Sequence, residues 1–373
     1  MSESARDCPD RLPPAASAAR ETGRRPLSAV FATPAVILII LVLGTLSAAQ
    51  TGEPARYTLT GDDVLIESYE GTQHLQARGN VLLTYSFDGE SWALSARFVD
   101  FIQVEDENER PIQQIASAEG DLMLTGPDIL LSAPGSMVVD ILNRYLSTES
   151  PDTHLIFPGG ELAADRLDIQ ETVMPGGVNR IHINTAERTL ATYELGGEDL
   201  AKTVAQTSTE SVFGSLDFDF SHITVETERT HLVLEDGSPV LLDCPDESVL
   251  TTAANRLTMP AFELTFDPPT LRAENGVQLE IGEETRVEAA ALSLTYPPGG
   301  SMLVELSGYT RDDYPPSGVP ARVVIYHPAG TFWADTISVR IDPDGCRCIA
   351  AKGHTMFEMP MGKVLSERSE AAQ

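Results

Sequence analysis

Asp217 and Asp219 stand two residues apart in Gly-Ser-Leu-Asp-Phe-Asp-Phe-Ser. On a strand the two carboxylates would share a face, and paired carboxylates can divide acid and base roles in glycan hydrolysis. With 56 acidic residues in the chain, such pairs arise freely. Cys346-x-Cys348, with His354 close behind and Cys244 as a distant fourth ligand, offers the sulfur and nitrogen donors that zinc takes. Its spacing differs from that of the usual zinc knuckles. The structural reading of the same cysteines is one disulfide, from Cys244 to Cys346 or Cys348, leaving the third thiol free. The histidines, at 74, 154, 182, 222, 231, 327 and 354, each stand singly, and there is no His-Glu-x-x-His and no nucleophile elbow. Glu105-Asp106-Glu107 and Asp312-Asp313 read as solvated loops, and Asp342-Pro343-Asp344-Gly345 as a turn. We therefore assign no catalytic residue, no metal site and no cofactor.

What remains is the apolar faces of strands. Short alternating runs recur along the chain, Pro and Gly are frequent (25 and 28), and long amphipathic helical patterns are scarce, with 198–206 the one weak candidate. The pattern predicts an all-β protein. In residues 75–101, Val81, Leu83 and Tyr85 share one face of a strand, and Asp88-Gly89 supplies a tight hairpin before the return strand.

Both halves of that hairpin recur. The front half is Ala77-Arg78-Gly79-Asn80-Val81, then Ala118-Glu119-Gly120-Asp121-Leu122, Ala273-Glu274-Asn275-Gly276-Val277 and Ala351-Lys352-Gly353-His354. The back half is Leu94-x-Ala96-x-x-Val99, then Leu162-x-Ala164-x-x-Leu167, Val287-x-Ala289-x-x-Leu292 and Phe332-x-Ala334-x-x-Ile337, with Thr252-x-Ala254-x-x-Leu257 a degenerate fifth. Front-half starts differ by 41, 155 and 78 residues, close to one, four and two steps of about 39, which is a period typical of stacked repeats. A hairpin that cannot bury its apolar face alone does so by stacking. Ala96 and Val99 are three apart, so alternation breaks and a bulge or bend is expected between them. In such a stack Val81, Leu83, Tyr85, Leu122, Leu124, Val277, Leu279, Ile281, Leu292 and Leu294 line one interior. By periodicity alone that interior is a plain hydrophobic core.

Gly79-Asn80-Val81-Leu82-Leu83-Thr84-Tyr85 followed by Leu94-Ser95-Ala96-Arg97-Phe98-Val99-Asp100-Phe101 resembles the repeat of the OstA-like lipopolysaccharide-transport domains. The likeness runs in patches through 57–357. It departs at Leu131-Ser132-Ala133-Pro134-Gly135 and over 180–220. The resemblance implies repeated β-hairpins forming a folded β-jellyroll, or β-taco, whose interior opens along one seam to shield the acyl chains of lipid A. It also implies the partners of an export bridge: lipopolysaccharide or a related lipid, an inner-membrane ABC transporter, other β-jellyroll bridge proteins joined by edge-strand addition, and an outer-membrane assembly protein. The anchored inner-membrane component is the nearest match in type, although that component is usually shorter.

The rest of the chain gives compartment and division. Residues 1–26 are polar and rich in Ala, Pro and Arg, a disordered cytoplasmic N-terminus. Residues 26–52 carry no charge, and 27–49 would make a helix of about 34 Å, enough to span a bilayer. The arginines ahead of it orient the N-terminus inward. Ser47-Ala48-Ala49 equally suits cleavage of an export signal, so a periplasmic protein anchored by 27–49 and a cleaved, soluble periplasmic one both stand. Four of the 56 acidic and five of the 25 basic residues precede Thr51, leaving 52 and 20 beyond it, a formal charge of −32. That excludes a nucleic-acid partner, since phosphate binding needs basic patches. Beyond the anchor we expect a first β-jellyroll region at 57–183, a second at 215–358 and a polar disordered tail at 359–373. The front-half copy at 351–358 lacks a clear return strand, so the stack ends in an edge able to accept another chain, unless Lys363-Val364-Leu365 folds back on it. Two other classes stand beside lipid transport: a structural or adhesive β-solenoid with a dry core, and an exported β-helix enzyme on polysaccharide, with Asp217 and Asp219 as its acids.

Overall fold

The computed structural model describes residues 39–41, 56–87, 90–108, 110–126, 129–175, 177–194, 222–253, 255–282, 284–296, 300–310, 315–342 and 347–358. They are all β, and among them there is no helix of any length that could cross a membrane. Of the expected N-terminal span only Ile39–Leu41 is described, as a short strand β1 against Tyr57–Leu59. The remainder of 1–55, the helix candidate at 198–206, Asp217, Asp219, Cys346 and the tail at 359–373 lie outside the described residues.

The chain climbs in antiparallel rungs. Rung 1 is β2 (Arg56–Thr60) with β3 (Asp63–Tyr69); rungs 2 and 3 are the long strands β4 (Thr72–Phe87) and β5 (Glu90–Glu105). Rung 4 is β6 (Pro111–Glu119) with β7 (Leu122–Thr125), and rung 5 is β8 (Leu130–Ala133) with β9 (Ser136–Asp140). Rungs 6, 7 and 8 are β10 (Tyr145–Phe157), β11 (Gly160–Val173) and β12 (Asn179–Glu194). Rung 9 is β13 (His222–Thr227) with β14 (His231–Glu235), rung 10 β15 (Ser238–Cys244) with β16 (Ser248–Thr251), and rung 11 β17 (Asn255–Met259) with β18 (Phe262–Phe266). Rungs 12 and 13 are β19 (Pro269–Ile281) and β20 (Thr285–Thr295). Rung 14 is β21 (Met302–Ser307) with β22 (Val323–His327), rung 15 β23 (Gly330–Ala334) with β24 (Thr336–Ile341), and rung 16 β25 (Arg347–Lys352) with β26 (Met356–Glu358).

Pairing separates each rung into two arms. One ladder runs through β3, β6, β9, β14, β15, β18, β21, β24 and β25, the other through β2, β7, β8, β13, β16, β17, β22, β23 and β26. The long strands give one half to each, and the register shifts between Arg78 and Val81, Glu149 and Thr153, Ala164 and Arg166, and Glu274 and Val277 mark where they turn. Because β12 and β19 belong to both ladders, the eight strands β12, β13, β16, β17, β19, β18, β15 and β14 close into a ring of pairings, a flattened barrel with further strands on either side.

The repeated motifs are these turns. Each Ala-x-Gly copy crosses from the first ladder to the second: Ala77, Ala118 and Ala273 are buried before the turn, and Val81, Leu122 and Val277 are buried after it. Between them Gly79, Gly120, Gly276 and Gly353 hold φ of +67°, +74°, +109° and +86°, left-handed backbone that glycine adopts without a Cβ clash. The copies fall in rungs 2, 4, 12 and 16, so the period of about 39 is two rungs. The back-half copies at Ala96, Ala164, Ala289 and Ala334 cross in the opposite sense, in rungs 3, 7, 13 and 15. The bend expected between Ala96 and Val99 is there. Thr252-x-Ala254 is no crossing: Thr252 closes the hairpin between β16 and β17, both in the second ladder. The equivalent turn is at Leu257-x-Met259-x-x-Phe262, with Met in place of Ala. At 131–137 the return is one residue longer than the pattern, with Ala133 and Met137 buried on either side of Gly135.

Side chains align from rung to rung into rows. In the second ladder Leu59, Leu83, Leu94, Leu124, Leu131 and Leu155 stand opposite one another in succession. The row continues through Leu162, Ala191, Val225, Leu250, Leu257, Leu279, Val287, Ile325, Phe332 and Phe357. A matching row in the first ladder includes Leu75, Phe101, Ala116, Leu146, Ile183, Leu232, Leu242, Leu264, Leu271, Leu294, Val304 and Val339. Both belong to a single buried cluster, each fully buried Leu contributing about 1.5–3 kcal/mol.

Candidate apolar binding interior

All ten residues assigned to the interior lie on strands, and the nine whose side chains are described are buried or half-buried. Val81, Leu122, Leu124, Val277, Leu279, Ile281, Leu292 and Leu294 are buried, and Leu83 is half-buried against the same cluster. Tyr85 pairs with Tyr57 and Trp92 in register, its side chain lying outside the described residues. They form two groups, in rungs 2–4 and rungs 12–13, about 40 Å apart at ~4.8 Å per strand. They are stations along one interior and do not meet at one place.

Between them lies a middle that the motifs did not single out. Leu131, Leu155, Leu167, Ile183, Ala191, Val225, Leu232, Leu242, Leu250 and Leu257 are each 0 % exposed. Towards the ends the same rows open: Leu83, Ile325 and Phe332 are half-buried, and Ile66, Ile349 and Phe357 are 48, 39 and 42 % exposed. Ile66 pairs with Leu75 and Phe357 with Phe332, so the first and last rungs present inward-facing apolar side chains to solvent. Beside them β3, β25 and β26 have one side unpaired among the described residues.

The turns of the middle rungs are built from hydroxyls. Thr185 Oγ1 accepts from the Thr189 hydroxyl (2.7 Å) and the Thr230 amide (2.8 Å), and lies 3.0 Å from the Thr230 hydroxyl. The Ser248 hydroxyl donates to the Asp246 carbonyl (2.7 Å) and lies 3.0 Å from Thr227 Oγ1, and the Thr153 hydroxyl donates to the Ser150 carbonyl (2.8 Å). These groups are buried and partnered, as burial of polar atoms requires.

One aromatic group crosses the middle. Tyr193 on β12 is 0 % exposed, its ring 5.9 Å from Phe157 of the same ladder and 5.6 Å from Phe266 of the other, both tilted contacts. Burial holds its phenol pKa well above the ordinary 10.0, with a lesser contribution from the Cys244 thiol on the facing ladder. Burial also pushes the Cys244 thiol up, so it stays protonated and unreactive. Among the described residues the Tyr193 hydroxyl has no hydrogen-bond partner. Sequence reading passed over this residue, although Ala191-x-Tyr193 alternates as an inward pair.

The cysteine readings need correction. Cys244 in rung 10 and Cys348 in rung 16 are six strands apart in one ladder, about 29 Å. A disulfide needs Cα atoms within about 7 Å, so these two share neither a bridge nor a metal ion. Both are free, Cys244 buried and Cys348 exposed. Two histidines read as solitary come together instead. His182 Nδ1 lies 3.1 Å from His231 Nε2 with the rings within 5° of parallel and their centroids 5.4 Å apart. That centroid distance is about the N···N distance plus two ring radii, so the rings meet nitrogen to nitrogen and are not face-stacked. Burial, then His231 and Arg180, lower the His182 pKa from its ordinary 6.5.

The arrangement as a whole is an apolar interior walled by two ladders, closed in the middle and accessible at both ends. Comparison of the chain with family models, with curated proteins and with solved structures finds no match.

Proposed function

We propose that this chain is a non-enzymatic cell-envelope protein that holds the acyl chains of lipopolysaccharide or a related lipid in its apolar interior, as one segment of a transport bridge between membranes. The observation that carries this reading is the apolar row that runs from Leu59 to Phe357 without a polar residue, beside a matching row in the facing ladder, with Ile66 of that second row exposed at the first end of the stack and Phe357 at the last. On this reading the two ladders are the walls of an OstA-like β-jellyroll, and their open side is the entry for lipid. The unpaired sides of β3, β25 and β26 take further β-jellyroll domains by strand addition, which needs only backbone hydrogen bonds and matching side-chain rows. An inner-membrane ABC transporter and an outer-membrane assembly protein are the partners such a bridge requires. On the same reading residues 27–49 serve as a membrane anchor or a cleaved signal, and the chain works in the periplasm.

A second reading, a structural stack with a dry core, is favoured by one observation: the middle rows are 0 % exposed. Photocrosslinking separates the two. A photoreactive residue at Leu83 or Leu124, with lipopolysaccharide added to the folded protein, should yield a lipid adduct that is absent when the label sits at exposed Glu107. A folded protein that gives no adduct at either interior position supports the structural stack.

A further inference from the structure

Among the described residues, the Tyr193 hydroxyl is a buried polar group that no neighbour satisfies. Leaving a hydroxyl buried without a partner costs on the order of 1–3 kcal/mol, and phenylalanine would fill the same space without that cost. Tyr193 is fully buried at the centre of the stack, between Phe157 and Phe266, its Oη unpaired. The second-ladder row narrows to Ala191, its one alanine, on the same face of β12 as Tyr193. Opposite Tyr193 in register stands Gly160, where a Cβ would run into the Phe157 ring (2.9 Å). Glycine at that position is what lets Phe157 lie against Tyr193. A donor held in an otherwise apolar and aromatic surrounding suits an acceptor carried on a hydrocarbon chain, and a free carboxylate or phosphate is unsuited to so dry a place.

We propose that Tyr193 is a ligand subsite, its hydroxyl donating to the carbonyl of an ester- or amide-linked acyl chain that enters between the ladders. This rests on the lipid-binding reading above and adds to it a position and a chemistry. The Phe157–Tyr193–Phe266 group closes the middle of the interior in the absence of lipid, and an acyl chain passing between Tyr193 and Phe266 replaces that aromatic contact.

The test compares diheptanoyl phosphatidylcholine, whose chains carry ester carbonyls, with its diheptyl ether analogue, which lacks them, both below their micellar concentrations and measured by calorimetry. Wild-type protein should bind the ester about three- to tenfold tighter, the worth of one hydrogen bond. Tyr193→Phe should bind both alike while melting at the same or a higher temperature. A Tyr193→Phe variant that keeps the ester preference, or that melts several degrees lower because the hydroxyl is bonded within the protein, overturns the subsite. An adduct at Leu83 without any ester preference overturns the subsite alone. Neither adduct nor binding overturns the lipid reading with it.

Discussion

Rungs 2, 4, 12 and 16 turn between the ladders on a glycine, whereas rungs 6, 8 and 10 turn on residues that have none. In the first group a left-handed step falls on Gly79, Gly120, Gly276 or Gly353, shared in three of the turns with an adjacent Asn80, Asp121 or Asn275 at φ of 46°, 49° and 69°, and the neighbouring rung clips it with backbone bonds such as Asp62 N–H to Gly79 O at 2.9 Å. In the middle, Asp152 and Glu187 take φ of 60° and 67° with full side chains, a conformation costing about 1–2 kcal/mol, and buried Thr and Ser hydroxyls hold the turn. Inside, rungs 4 and 12 are packed shut like the middle, and only rungs 2 and 16 near the ends open, at half-buried Leu83 and exposed Phe357. A repeating architecture is thus kept by two different local turn chemistries.

The comparison is broken most easily by charge. Leu155→Arg in the middle should abolish cooperative folding, because an unpaired buried charge costs several kcal/mol, a large share of a domain's whole stability. Leu83→Arg, half-buried near an end, should leave a folded protein with a lowered melting temperature. Circular dichroism melts decide it, and equal damage from both would erase the distinction. Next in size, Thr185→Val removes the acceptor of both the Thr230 amide and the Thr189 hydroxyl, and should cost about 1–3 kcal/mol in urea titration. The glycine and non-glycine turns should then respond with opposite signs. Gly79→Ala adds a Cβ that collides with the Asp62 carboxylate and should destabilise by about 1 kcal/mol, whereas Glu187→Gly relieves a left-handed residue and should be neutral or stabilise by about 0.5 kcal/mol.

The smallest effect is in pH. His182, in the middle, has a pKa below its ordinary 6.5, so the unfolded chain binds its proton more readily. The stability it contributes is present above 6.5 and is lost as pH falls through the lower, folded value. Asp335, near the end, is held below its ordinary 3.8 first by the His354 amide and then by the His354 ring. Its contribution persists to about 3.8 and is lost only below that. In thermal melts against pH, the loss of stability that His182→Gln removes should therefore set in at higher pH than the loss that Asp335→Asn removes, and the reverse order would contradict this assignment.

How much of this was legible in the sequence follows from the same contrast. Alternation marked Val81, Leu122, Leu124, Val277, Leu279, Leu292 and Leu294, which are buried, and Leu83, which is half-buried, since a strand segregates its side chains by alternating them between two faces. The glycine turns were legible because left-handed backbone narrows residue choice. The return turns were legible because Ala96, Ala164, Ala289 and Ala334 repeat at the crossing, and rung 11, which carries Met259 there, was missed. Rungs 8–10 faded from view because a threonine that holds a turn by a hydrogen bond to a residue 45 positions away looks like any other threonine. The His182–His231 pair, 49 residues apart, was hidden for the same reason. Thr252-x-Ala254 was misread because a hairpin between two second-ladder strands also spaces apolar residues by odd numbers. Tyr193 carried no sign at all, because an unpaired hydroxyl is a property of three-dimensional surroundings.

Two rungs consume about 39 residues and advance the stack by about 10 Å, and each rung repeats the cross-section of the one before. Chain length is thereby a ruler. Duplicating one such unit would lengthen the protein by a fixed increment while leaving every row in register, and deleting one would shorten it equally cleanly. Reach in this architecture can be tuned by gene duplication in whole steps, without redesigning either end.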